Sequence, residues 1–409
     1  MSKIEELIQQ YCPDGAEFIE LQEVFEIKNG YTPSKANSEF WTNGTIPWFR
    51  MEDIRQNGHI LSDSIQHITP EAVKGSGLFP ANSIIVATTA TIGEHALIIV
   101  DSLANQRFTF LSKRKSFDDK LDMKFFHYYM FIIDEWCKNN TNTASFPSVD
   151  MGRFKKYKFP IPPLPIQQEI VAILDKFTTL EAELEAELEA RRAQYIYYRD
   201  QLLCFDGKDV EWKMLGEVGE FIRGKRFVKN DIVSEGVPCI HYGELYTHYK
   251  IWAKEAKSYL NPNLAAKLRV AHPGDVVIVS AGETIEDIGN GVAWLGDSDV
   301  VIHDACFAYS HKMNPKYVSY YLQTNLFRSQ IKSSISSGKI SSINAPGLSK
   351  AKIPIPPMEE QVRIVGILDK FDALVNDISV GLPAEIEARR KQYEYYRSKL
   401  LSFEPVVSE

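Results

Sequence analysis

The sequence predicts an α+β protein: two globular α/β-type domains separated by two long antiparallel coiled-coil helices, with an internal repeat of pseudo-two-fold character. Three observations predict it. Pro160-Ile161-Pro162-Pro163 recurs as Pro354-Ile355-Pro356-Pro357, and 160–180 matches 354–374 at 13 of 21 positions. The run from Glu189-Ala190-Arg191-Arg192 to Phe205 recurs at 387–403, with 12 identities in 17. Within both blocks apolar residues keep helical spacing, whereas the stretches between them alternate short β-type runs with turn residues.

In chain order, the first domain is expected over 1–159. Ser83-Ile84-Ile85-Val86-Ala87 reads as a strand, Asn29-Gly30 and Asn43-Gly44 as turns, and 123–138 as an amphipathic aromatic helix. The first spacer helix follows over 160–205. Pro162, Pro163 and Pro165 bar helix before residue 165 and suit a helix start. Ile166, Ile170, Ile173, Phe177, Leu180 and Leu184 then form a heptad seam. Leu188 breaks the register, and Tyr195, Tyr198 and Leu202 resume it. As one helix, 166–203 spans about 57 Å at 1.5 Å per residue. That exceeds one DNA turn, roughly 34 Å.

The second domain is expected over 206–353. Asp275-Val276-Val277-Ile278-Val279 reads as a strand, Pro273-Gly274 and Ala281-Gly282 as turns, and 315–331 as one helix. The second spacer helix, 354–403, repeats the seam with Ile364, Ile367, Phe371, Leu374, Ile378, Ile386, Tyr393, Tyr396 and Leu400, with a break near Pro383. Residues 404–409 are left as a tail. The globular halves align faintly: Leu21-x-x-Val24 with Leu215-x-x-Val218, Gly30 with Gly224, and Phe79-Pro80 through Val86 with His272-Pro273 through Val279 at an offset of 193.

The net charge of −8 opposes DNA binding until it is divided. Residues 1–164 carry −3, 165–205 carry −4, 206–353 carry +2 and 354–409 carry −3, so seven of the eight excess negatives lie in the helical segments. The domains can therefore each carry a local basic face. Five scattered cysteines without CxxC spacing suit reduced thiols in a cytoplasmic protein. The polar, acidic N-terminus argues against a secretory leader, and no apolar run reaches membrane-spanning length.

Loop residues that can reach phosphate or base edges are the DNA-contact candidates. In the first domain these are Lys28, Tyr31, Arg50, Thr88, Thr89, Arg107, Lys155 and Lys156. In the second they are Arg223, Lys225, Arg226, His241, Tyr242, Ser280 and Lys339. The helix ends carry Arg191, Arg192, Tyr195 and Tyr198, repeated as Arg389, Arg390, Tyr393 and Tyr396. These either pack the seam or form a partner interface, and two copies imply two copies of the partner.

Catalytic motifs fail inspection. Asp14, Glu26 and Lys28 imitate a nuclease signature, but the second copy has Lys208 and Ile222 for Asp14 and Lys28. His303-Asp304-Ala305-Cys306 falls in an expected strand, where neighbours point to opposite faces and core packing is the simpler reading. No phosphate-binding, dinucleotide or metal motif is present.

The order domain, helix, domain, helix resembles the specificity (S) subunit of type I restriction-modification enzymes. So do the blocks Ile161-Pro162-Pro163…Gln167…Ile170-Val171…Leu174-Asp175 and Glu387-Ala388-Arg389-Arg390-x-Gln392-Tyr393-x-Tyr395-Tyr396-Arg397. The resemblance implies a non-catalytic subunit that reads an asymmetric bipartite site in double-stranded DNA, with the helices setting the unread gap. It implies two methyltransferase (M) subunits and two restriction (R) subunits as partners. S-adenosylmethionine and ATP are then expected on those partners and no cofactor on this chain. The competing expectation is a coiled-coil adaptor without DNA specificity.

Overall fold

The computed structural model describes residues 3–75, 77–142, 147–377 and 379–406. The chain forms two compact units, Met1–Glu183 with Glu387–Glu409 and Leu184–Ile386. Six helices matter below: α1 (Met123–Asn139), α2 (Leu164–Leu202), α3 (Pro315–Leu322), α4 (Asn325–Ile331), α5 (Met358–Asn376) and α6 (Leu382–Leu400). α2 runs uninterrupted for 39 residues, starting within two residues of the expected point. No helix of the described residues is long and apolar enough to cross a membrane.

In the first unit the strands are β1 (Phe25–Asn29), β2 (Ile46–Phe49), β3 (Ile60–Leu61), β4 (Ser83–Ala87), β5 (His95–Ile98), β6 (Leu103–Ala104) and β7 (Phe108–Lys113). Five form a sheet in the order β1-β7-β4-β5-β3, while β2 pairs in parallel with β6. The run Ser83–Ala87 is apolar throughout because both faces are covered. Ile84 and Val86 join the core beneath α1, and Ile85 and Ala87 join a second core with Trp48, Phe49 and Phe110.

The second unit repeats this with β8 (Gly219–Arg223), β9 (Val237–Ile240), β10 (Trp252–Ala253), β11 (Val276–Val279), β12 (Gly291–Trp294), β13 (Val300–Ile302) and β14 (Cys306–His311). Its large sheet runs β8-β14-β11-β12-β10, and β9 pairs in parallel with β13. Register corrects the sequence alignment by one residue. Ile85 faces Phe110 and Val277 faces Ala308, while Asn29 faces Thr109 and Arg223 faces Phe307. Ile85 therefore corresponds to Val277, an offset of 192 rather than 193. Side-chain identity alone could not detect the slip in an all-apolar run.

Why the helix blocks repeat so closely is visible in each unit. Gln167, fully buried, accepts from the Asp122 N–H at 2.8 Å and donates to the Lys120 and Pro162 carbonyls at 2.7 and 2.6 Å. Gln361 accepts from the Asn314 N–H and donates to the Pro356 carbonyl, each at 2.9 Å. About two turns on, Asp175 receives Lys124 Nζ and Tyr128 Oη, both at 2.7 Å. Asp369 receives Lys316 Nζ and Tyr320 Oη, both at 2.8 Å. The blocks thus bolt each long helix to the aromatic helix of the domain before it.

The seam therefore departs from a simple coiled coil. Ile166, Ile170 and Leu174 are buried in the first unit's core together with α1, and further on α2 pairs side chains with α6. Phe177 lies 5.5 Å from Tyr396 and 6.2 Å from Tyr393, and Glu181 pairs with Arg390 at 2.5 Å, an antiparallel register. In the second unit Tyr198 stacks on Phe371 at 5.6 Å. Val375 is buried where Leu374 was expected, and Leu374 is exposed. The expected seam residue Ile378 lies outside the described residues. The break near Pro383 falls between the end of α5 at Asn376 and the start of α6 at Leu382, and Pro383 sits in the first turn of α6, where a missing N–H is tolerated.

Three further expectations are corrected. Residues 315–331 are two helices, because Thr324 caps the second by accepting from the Phe327 N–H at 3.2 Å. Ala281–Gly282 is a short strand paired with Ser341–Ser342, not a turn. Part of the expected tail is ordered: Ala16 N–H donates to the Glu404 carbonyl at 2.8 Å and Val406 N–H to the Ala16 carbonyl at 3.1 Å.

Candidate nucleic-acid interface

In the second unit the ends of β8, β9, β11 and β13 deliver Arg223, His241, Ser280 and His303. Gly224 lets the chain leaving β8 press against the residues after β13, since a Cβ there would stand 2.1 Å from the His303 carbonyl oxygen. Arg223 Nε donates to the Asp304 carbonyl at 2.9 Å, and Lys225 Nζ to the Lys267 carbonyl at 2.9 Å. Arg226 is exposed beside them.

An aromatic cluster adjoins this basic run. The His303 ring lies 4.8 Å from His241, 5.0 Å from Tyr242 and 5.1 Å from Phe227. Burial holds both imidazoles below their usual pKa, so they are neutral near pH 7. Nδ1 of His241 accepts from the Gly243 N–H at 3.3 Å, and Nδ1 of His303 from the Ala305 N–H at 3.1 Å. The His241 ring then keeps Nε2–H as a donor, suited to base acceptors rather than to charge neutralisation, whereas His303 Nδ1 also lies 3.1 Å from Asp304 Oδ1. His303 lies in the turn between β13 and β14, not in a strand as the sequence suggested. The expected core packing holds in part: Cys306 is fully buried and His303 is 9% exposed.

The first unit brings equivalent positions together with different chemistry. Arg50 follows β2, with its guanidinium carbon 5.9 Å from the Trp48 ring. Asn105, Gln106 and Arg107 occupy the turn between β6 and β7, with Arg107 exposed. Gly30 repeats the close approach of Gly224, as a Cβ would stand 2.2 Å from the Ala104 carbonyl oxygen. Thr89 is half-buried and bridges to Ser148. Lys28 is exposed and paired with Glu26 at 3.0 Å. Lys155 and Lys156 are exposed at the end of the helical turn Met151–Lys155.

Comparison with known proteins now decides the family. The model of the type I restriction modification DNA specificity domain matches residues 13–190 and 207–388. This chain belongs to that family. The specificity subunit of the EcoprrI type I restriction enzyme of Escherichia coli is 40% identical over 381 residues, 90% of each chain. That of EcoR124I/EcoR124II, also from Escherichia coli, is 35% identical over 70% of this chain and 72% of its own. Among solved structures, the HsdS subunit from Thermoanaerobacter tengcongensis shares the fold with a TM-score of 0.52 at 18% identity, covering 96% of this chain and 97% of its own. A chain from a study of type I R-M complex assembly reaches 0.68 at 17%, covering 95% and 98%.

The two matched segments are thus DNA specificity domains, and the chain is a sequence-recognition subunit. Within them some expected contacts move inward. Thr88 is buried, its Oγ1 3.0 Å from Thr109 Oγ1. Ser280 is 2% exposed. Tyr31 spends its hydroxyl on the Lys74 N–H at 2.6 Å and the Ala72 carbonyl at 3.3 Å. Lys339 is exposed in the segment joining Ser336 to Ser342.

On the specificity subunit's long helices, Tyr195 is 5% exposed and belongs to the second unit's core, which removes it from an outward partner surface. The outward aromatics are Tyr197 at 60% and Tyr395 at 61%, each in an edge-on pair with its neighbour, Tyr198 or Tyr396, at 5.4 Å. Both residues stood in the repeated motif, yet helical phase alone did not separate them from Tyr195. Arg191 and Arg192 pair with Glu187 and Glu189 at 3.2 and 2.8 Å. Arg389 Nη1 reaches Gln392 at 3.1 Å.

Proposed function

We propose that this specificity subunit reads an asymmetric, two-part DNA site, one half with each unit, and holds one methyltransferase subunit at each exposed tyrosine pair. The observation that carries this reading is the contrast at matched strand ends. One frame presents Asn29, Arg50, Asn105 and Gln106 in the first unit and Arg223, His241, His303 and Asp304 in the second. A single target half would have no use for two chemistries in one frame. The M subunits would supply adenine methylation from S-adenosylmethionine, and two R subunits ATP-driven cleavage, with this chain positioning them and catalysing nothing. Lys28, Thr89, Arg107, Lys155, Lys156, Lys225, Arg226, Tyr242 and Lys339 complete the proposed contacts.

The test is a base-resolution methylome from a methylation-free host expressing this chain with its M partner and each alone. Methyladenine at a gapped two-part motif only when both are present is the expected result. Methylation by this chain alone would reveal an active site of its own. A soluble complex without new methylation would favour the adaptor reading. Adding about one helical turn, roughly four residues, within α2 should change the gap and leave both half-sites intact.

A further inference from the structure

In the second unit a cleft of about 370 Å³ is lined by Arg223, Ser280, Phe307, Ser336, Ser342 and Asn344, among others. Ser280 Oγ is buried there without a hydrogen-bond partner. An orphaned buried hydroxyl is costly, so such groups are normally satisfied.

The first unit shows how the same position is satisfied. Thr88 is the counterpart of Ser280: their amides donate to the Arg107 and Ala305 carbonyls, and their carbonyls accept from Val149 and Ile343. Thr88 Oγ1 reaches Thr109 Oγ1 at 3.0 Å, which donates to Asn29 Oδ1 at 2.9 Å, closing the chain. By register, Phe307 stands for Thr109 and Arg223 for Asn29. Phe307 removes the hydroxyl partner, and Arg223 replaces an acceptor with a cation.

What remains is a cleft rich in donors. Arg223 is anchored through Nε to the Asp304 carbonyl, leaving its terminal amines for another acceptor. Ser336 and Ser342 also line the cleft, their hydroxyls 3.0 Å apart; Ser336 Oγ donates to the Ser342 carbonyl at 3.1 Å, which leaves the Ser342 hydroxyl as a donor. The complement of the Ser280 and Ser342 hydroxyls and a guanidinium is a tetrahedral oxyanion with acceptors on every side. We infer that this cleft seats a phosphodiester of the DNA backbone in the half-site read by the second unit. The inference rests on the half-site reading above.

Two measurements on the full chain with its M partner test it. The first is the melting temperature against sulfate as a stand-in for phosphate. The wild type should show a saturable rise that Arg223→Ala and Ser280→Ala abolish. The second is affinity for target DNA carrying single ethylated phosphates. One ethylation in the second unit's half-site should weaken the wild type about tenfold and leave both variants unaffected. Arg223→Ala should also reduce the slope of log affinity against log salt by about 1.

Ser280→Ala separates function from folding. Removing an orphaned hydroxyl should raise the melting temperature in sulfate-free buffer while lowering DNA affinity roughly tenfold. Thr88→Ala, which breaks a closed hydrogen-bond chain, should lower the melting temperature. A stabilised Ser280→Ala with unchanged DNA affinity and ethylation pattern would overturn the inference. A sulfate response without any matching ethylation site would overturn the DNA assignment. A wild-type complex that selects no DNA sequence would strike the half-site reading instead, and the sulfate response would then decide the cleft by itself.

Discussion

The two units share a frame and differ in what fills it. Gly30 and Gly224 make the same close approach, and Gln167 and Gln361 seal the same helix entry. Beneath the aromatic helix the interiors diverge. In the first unit His95 bonds Asp134 at 2.5 Å through Nδ1 and approaches the His127 carbonyl at 3.1 Å through Nε2. In the second, the ladder position of His95 is Gly291, and Leu322 of α3 fills the space so closely that a Cβ would stand 2.5 Å from it. Arg328 reaches across to Asn290 Oδ1 at 2.6 Å. Backbone geometry and helix attachment tolerate little change, whereas the interior and strand-end loops accept different solutions. A protein that reads two unlike sequences with one fold requires that division.

The comparison breaks most visibly at the glycines. Gly30→Ala and Gly224→Ala should each cost about 3 kcal/mol by forcing a methyl group into backbone. Thermal melts that tolerate one substitution and not the other would mean the frames are not equivalent. Gln167→Ala should cost about 2–3 kcal/mol and Gln361→Ala about 2 kcal/mol, because each orphans backbone groups that the glutamine satisfies. Denaturant titration of both variants tests whether the helix blocks are structural bolts.

At the tyrosine pairs stability should barely move, within about 0.5 kcal/mol. Tyr197→Ala or Tyr395→Ala alone should instead reduce M-subunit stoichiometry from two to one, read by native mass spectrometry. Loss of both M subunits from either single variant would show that the pairs do not act separately.

A pH dependence separates the His95–Asp134 pair of the first unit from Gly291, its counterpart in the second. Burial pushes Asp134 up to about 8 and His95 down to about 3. A raised carboxyl is protonated in the fold and ionised when unfolded, so its contribution is lost as pH rises toward 8. A depressed imidazole acts oppositely, losing its contribution as pH falls below about 6.5 toward 3. Between about 4 and 6.5 the two oppose each other, and above 6.5 only the Asp134 loss remains of this pair. Melting temperature should therefore decline from pH 6.5 to 8.5, and Asp134→Asn should flatten that decline. An unchanged decline in the variant would assign it elsewhere.

The sequence made the long helices legible because their residues are fixed by specific bonds. Proline, glutamine and aspartate at set spacing leave few alternatives, and the repeat displayed them twice. The strand-end candidates were legible as a group because turn chemistry marks where strands stop. What stayed hidden were consequences of three-dimensional neighbours. Thr88 and Ser280 are both hydroxyls after a strand, yet one is satisfied by Thr109 and the other has Phe307 nearby. His303 looked like a strand residue because β-branched neighbours Val300, Val301 and Ile302 precede it. Tyr195 and Tyr197 differ by two positions, about 200° around a helix, and only the packed partner decides which one is inside.

Ala16 pairs with Glu404 and Val406, near opposite ends of the sequence. The second unit consists of one continuous stretch, 184–386, whereas the first needs 387–409 as well as 1–183. During synthesis the second unit's residues are therefore all available before the first unit's last helix has been made. The first domain must wait, holding an unfinished apolar face, while some 200 intervening residues emerge and fold. Closing that long loop is the slow, entropy-limited event. The unit that begins first is thus expected to finish last, which makes it the one more exposed to misassembly or proteolysis on the ribosome.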